Sequence, residues 1–173
     1  MTTLSRCAWV VGILGAAALA TAQAATGPAP ASMSATTFAQ LKSLVGTWET
    51  VQDGVPVRET YAVTANGSVL MAETRPGNEP AMITMFTVDG DHLIATHYCS
   101  AGNQPQMVSA GAGDLQTGVA FTLARVTGMK TPDDWHNTGI TIALDDANRM
   151  TQRWTWLYKG KAGTTVFHYT RRK

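Results

Sequence analysis

The sequence predicts an all-β protein: a small antiparallel up-and-down β-barrel of about nine or ten strands, preceded by one short helix. Three observations carry that prediction. From Gly46 to the last residue, apolar and polar positions alternate in short segments, the period of a strand with one buried face. Turn-forming pairs, among them Asp53-Gly54, Asn66-Gly67 and Asp89-Gly90, separate the segments at the roughly 8–12-residue spacing of barrels and sandwiches. Sequential hairpins make neighbours of sequential strands, and closing the sheet removes the edges that would otherwise recruit other chains. A two-sheet sandwich is the alternative architecture.

Residues 1–24 read as a secretory signal peptide. Arg6 supplies the positive start, an apolar run from Cys7 to Ala22 follows, and Ala22-Gln23-Ala24 offers the small-x-small cleavage pattern. Cys7 precedes most of the apolar run, which is the wrong side for a lipoprotein anchor. The expected address is periplasmic or secreted, in a bacterial context, with no stable membrane insertion after the signal is removed. Residues 25–35, rich in Ala, Pro and Ser, read as a flexible leader, and residues 36–173 as the barrel domain.

Within that domain the helix comes first. Ser34, Thr36 and Thr37 offer N-cap groups, Phe38, Leu41, Leu44 and Val45 follow at helical spacing, and Gly46 stops the run. The strand series is GTWETVQ, VRETYAVT, SVLMAETR, AMITMFTV, HLIATHYC, PQMVSAG, VAFTLARVTG, HNTGITIAL, RMTQRWTWLYK and TTVFHYTRR. Asn66-Gly67 is the clearest hairpin, because a tight turn there needs positive φ at both central residues.

Charge excludes some functions. Without Arg6 the chain carries twelve basic and twelve acidic residues, so no basic face offers itself to a phosphate backbone and nucleic acid is not an expected partner. Only Cys99 survives cleavage, so no intramolecular disulfide forms despite an oxidising address.

The candidate site residues come from strand alternation. His97 and Cys99 share one face of their strand, with Asn103, Gln104 and Met107 following in the next loop and strand. An imidazole beside a thiol can bind a ligand, hold part of a metal site or lower the thiol pKa. Equally, it can be a hydrogen-bonded histidine next to an inert thiol. Arg125 shares a face with Phe121 and Leu123, so an apolar strand face ends in a guanidinium. Trp154, Trp156 and Tyr158 share a face of the penultimate strand, a wall for a flat or acyl ligand. His92, His136 and His168 have no metal-ligand spacing, and no nucleophile elbow, phosphate loop or dinucleotide glycine motif is present.

Gly46-Thr47-Trp48, placed after a short helix at the head of the first strand, resembles the Gly-x-Trp signature of lipocalins and their calycin relatives. The resemblance implies that Trp48 plugs the closed end and stacks on an arginine of the last strand, Arg171 or Arg172. The run from Thr96 to Met107 is similar to a segment of uncharacterised bacterial secreted proteins with lipocalin-like domains. The strand count resembles the fatty-acid-binding and nitrobindin-like branches. The first implies a ligand carboxylate held by an interior arginine and a tyrosine, here Arg125 and Tyr169 or Arg171. The second holds haem through a histidine of a late strand, where His168 stands, but nothing else supports haem and no cofactor is expected.

The function these readings favour is an exported container for a small apolar or amphipathic molecule. His97, Arg125 and Tyr169 orient it, Trp154 and Trp156 wall it, and Cys99, Asn103 and Gln104 shape the mouth. No catalytic residue and no metal site is assigned. An enzyme using His97, with Cys99 or a metal, and a filled barrel acting through a protein partner are the rival readings.

Overall fold

A computed structural model of the chain describes residues 32–111 and 113–173. The residues read as a signal peptide, and most of those read as a leader, lie outside the described residues. Helix α1 (Met33–Leu41) and a one-turn 3-10 helix, Lys42–Leu44, lead into ten strands. These are β1 (Gly46–Gln52), β2 (Val55–Thr64), β3 (Val69–Pro76), β4 (Met82–Asp89), β5 (His92–Tyr98), β6 (Gln104–Ser109), β7 (Val119–Thr127), β8 (His136–Asp146), β9 (Arg149–Tyr158) and β10 (Lys161–Arg171). Each strand pairs antiparallel with the next, and β1 closes onto β10. The fold is therefore an up-and-down ten-strand barrel, not a sandwich.

The helix starts earlier than its sequence suggests, inside the segment read as leader. Ser32, not Ser34, caps it, its hydroxyl accepting from the Ala35 N–H at 3.2 Å. Ser34 is buried within the first turn and instead donates to the Gly90 carbonyl at 2.7 Å. Thr37 donates to the Gly113 carbonyl and accepts from the Gly113 N–H, while Gln40 Oε1 accepts from the Leu115 N–H. These bonds tie α1 to the β4–β5 turn and the β6–β7 loop, so the helix caps one end of the barrel.

At the Asn66-Gly67 hairpin Asn66 has φ 53° and Gly67 φ 85°, as the turn requires, and Ala65 joins them at 48°. Asp53-Gly54 and Lys159-Gly160 make the same use of positive φ at the opposite end.

The core is centred on the helix-capped half. Leu41, Leu44 and Trp48 meet Leu70, Phe86, Leu93, Phe121 and Ile142, all nearly or wholly inaccessible to water. Phe86 and Phe121 pack with ring centroids 5.6 Å apart. Trp48 donates its indole N–H to the Leu44 carbonyl at 2.8 Å, and the Arg171 guanidinium lies 4.1 Å over its ring. Arg171 rather than Arg172 is thus the stacking partner. Gly46 is required beside them: its φ is 128°, and an added Cβ would stand 3.1 Å from Arg171 Nη1.

Strand β1 pairs with β10 at Trp48↔Arg171 and Glu49↔Thr170, the end nearest the helix. Beyond those pairs the seam parts toward the far end, where the barrel is open.

Candidate functional site

The open half of the barrel encloses a cavity of about 680 Å³, within the usual range for small-molecule sites. Its rim comes from the loops opposite the helix: Asp53 of the β1–β2 turn, Asn78–Pro80, Ser100–Ala101 and Trp135. The wall is largely apolar, with Val57, Met82, Trp154, Trp156 and Phe167 facing inward. The β9 tryptophans reach this wall because alternation runs unbroken through Gln152, Trp154 and Trp156, whose β10 partners are Phe167, Thr165 and Gly163.

The floor is polar. Gln152 and Tyr169 line it, and Glu59 and Tyr61 stand behind them, each of the four no more than 3% exposed. Trp154 Nε1–H can only donate, and it does so to Gln152 Oε1 at 2.9 Å. That turns the Gln152 amide nitrogen toward Glu59 Oε1 at 2.9 Å and the Tyr61 hydroxyl at 2.8 Å. The second carboxyl oxygen, Glu59 Oε2, has no hydrogen-bond partner among the described residues. Burial pushes the Glu59 carboxyl above the ordinary carboxylate range, against the opposing pull of the Gln152 hydrogen bond and the neighbouring Tyr61 and Tyr169 hydroxyls. Burial first, and then the neighbouring Glu59 charge, hold both tyrosines in the phenol form.

His97 belongs to the same cavity. Its Nδ1 lies 2.9 Å from Thr84 Oγ1, and its ring packs at 4.9 Å against that of Trp154. Burial lowers its pKa to about 4, so the imidazole is neutral at pH 7. Cys99 lines the cavity too, half-buried, with Sγ 3.5 Å from the Ala101 N–H. Burial is the main influence on that thiol and raises its pKa. The pair shares a face without forming a base-activated nucleophile.

Two further candidates stand at the loop beside the mouth. Asn103 is buried in the β5–β6 loop, donating to the Trp135 carbonyl at 2.7 Å, with Oδ1 unpartnered among the described residues. Gln104 bonds Gly102 and Thr127 within that loop's surroundings. Both shape the rim without lining the cavity.

Arg125 is a correction. Met107 pairs with Leu123, but Gln106 pairs with Arg125, so β7 carries one extra residue and its alternation reverses there. Arg125 is exposed on the outer face and donates to Gln106 Oε1 at 2.9 Å. His168 is also outside. It is exposed and bonds Thr151, while Phe167 and Tyr169 on either side face the cavity. That orientation removes the late-strand position from any haem pocket.

Glu59, a buried acid behind the floor, is not among the candidates the sequence pattern picks out. Its signal was there, since Val57, Glu59 and Tyr61 alternate on one strand face. Among the described residues no group of three or more His, Cys, Asp or Glu is placed to hold a metal ion.

No protein-family model and no curated protein matches this chain. Among solved structures it is similar to a protein of unknown function from the DUF3598 family of Nostoc punctiforme. The identity is 13%, the TM-score 0.42, and the match covers 77% of this chain. The chain spans about half of that protein, 49% of its length.

Proposed function

We propose that this is a lipocalin-like, exported binding protein that holds one small apolar or amphipathic molecule in the open half of its barrel. The observation that carries the reading is the division of the interior. The helix-capped half is packed solid, whereas the open half keeps about 680 Å³ behind an aromatic wall. A filled structural barrel would continue its core to both ends.

The energetics suit a binder. A ligand losing about 300 Å² of apolar surface gains roughly 7 kcal/mol at 25 cal/mol per Å². Micromolar affinity needs about 8 kcal/mol net of the cost of association, so aromatic packing and the floor polar groups must add to that gain. The floor polar groups then set which end enters first. A neutral His97 and a protonated Cys99 suit lining roles better than a nucleophile and its base.

The test is titration with N-phenyl-1-naphthylamine, which fluoresces strongly only in apolar surroundings. Saturable enhancement with one site per chain, lost in Trp154→Ala plus Phe167→Ala, is the expected result. No enhancement, or enhancement untouched by those changes, overturns the reading.

A further inference from the structure

The lining of the cavity has one sign of charge. Asp53 and Glu79 stand at the mouth and Glu59 lies behind the floor, while no Lys or Arg is among the described residues that line it. Arg125, expected inside, lies on the outer face. Arg171, on the inward face of β10, is engaged at the capped end by three backbone carbonyls, of Val45, Ser43 and Ala147. A ligand carboxylate therefore finds no partner here and meets three acids. The opposite head group meets the reverse.

Resting on the container reading, we propose that the ligand carries a protonated amine, seated at the floor against Gln152 and Tyr169, with Glu59 as its countercharge. Glu59 is 3% exposed with one oxygen unpartnered. A buried carboxylate without a cation is costly, and burial favours its neutral form; an entering ammonium favours the carboxylate and supplies the missing charge. Trp154, Phe167 and Tyr169 add ring faces, which attract ammonium groups most strongly where water is excluded. Phe167 and Tyr169 stack nearly parallel, 23° apart, with centroids separated by 5.8 Å. Asp53 and Glu79 raise the local concentration of cations at the entrance. The apolar tail of the ligand then lies along Met82 and Trp156.

Three probes with the same tail separate the possibilities: decylamine, decanol and decanoate, titrated calorimetrically against the purified protein at neutral pH. Decylamine is expected to bind at least about tenfold more tightly than decanol, with decanoate weakest. In Glu59→Gln, which can keep the Gln152 bond, the amine-to-alcohol ratio should fall to about one. The ratio is read within one protein, so a modest change in stability does not disturb it. Decanol or decanoate matching decylamine overturns the amine assignment and leaves the container reading intact. An undiminished ratio in Glu59→Gln overturns the role of Glu59. Silence from all three probes beside a saturable naphthylamine signal also overturns the assignment. Silence from every probe removes the container reading and this inference with it.

Discussion

Gly163 and Trp156 face each other across β9 and β10 so closely that a Cβ on Gly163 would overlap the six-membered ring of the indole. The glycine is a seat: the indole occupies the space that a side chain at 163 would fill, and Trp156 lines the cavity wall. Gly163 does not need its conformational freedom here, because its φ is not in the left-handed region. It needs its missing side chain.

Gly163→Ala should therefore lift Trp156 off the wall. Overpacking of this kind costs about 1–3 kcal/mol, readable as a lower denaturation midpoint. The displaced ring moves into the entrance, so naphthylamine affinity should drop while the packed half stays intact. Unchanged affinity and tryptophan emission would mean that Trp156 does not define the entrance.

His97 gives the protein an acid-side weakness. Its folded pKa of about 4 lies below its ordinary value of 6.5, so between those limits the unfolded chain binds more protons than the folded one. Stability from this group is complete above pH 6.5 and declines as pH falls toward 4, by about 3 kcal/mol in total. His97→Gln should flatten that part of the profile relative to the parent protein in urea unfolding at pH 7, 5 and 4. Parallel profiles for the two proteins would contradict a buried, neutral His97.

Arg171 does its work at the other end of the molecule. Its Nη1 and Nη2 donate to the carbonyls of Val45 and Ser43 at 2.8 and 2.9 Å, its Nε to Ala147 at 3.0 Å, and its plane covers Trp48. Arg171→Ala removes a fan of charge-assisted bonds and the stack together, an expected loss of about 2–4 kcal/mol. Arg171→Lys keeps the charge but not the planar fork, and should recover less than half of that loss. Ligand affinity should hold in both, because the stack closes the end opposite the cavity. A variant that keeps its stability but loses binding would reverse this assignment of roles.

The sequence made some of this legible and hid the rest for identifiable reasons. Trp154 and Trp156 could be placed on one wall because β9 keeps strict alternation through them. The resemblance of Gly46-Thr47-Trp48 to the lipocalin signature narrows the partner of Trp48 to Arg171 or Arg172, and the register Trp48↔Arg171 decides between them. Arg125 could not be placed, since one extra residue in β7 reverses the face it occupies and leaves no mark in the composition. Glu59 was visible as an acid between two apolar inward positions. Its partner Gln152, however, lies 93 residues away, and only the curvature of the barrel brings the two together.

Cys99 offers a direct report on occupancy. The thiol lines the cavity, is half-buried, and has a pKa raised chiefly by burial. The thiolate is the reactive form, so a raised pKa lowers its population at any given pH. Alkylation of Cys99 by iodoacetamide at pH 8 should then be several-fold slower than that of the unfolded chain. A molecule seated in the barrel covers the approach to the sulfur, so saturating naphthylamine should slow the reaction again, by roughly the bound fraction. Cys99→Ser should leave stability within about 1 kcal/mol, since the thiol accepts only a weak bond from Ala101. Alkylation as fast as in the unfolded chain would place the sulfur in open solvent. Insensitivity to bound probe would place the ligand away from the β5 side of the mouth, against the opposite wall formed by β9 and β10.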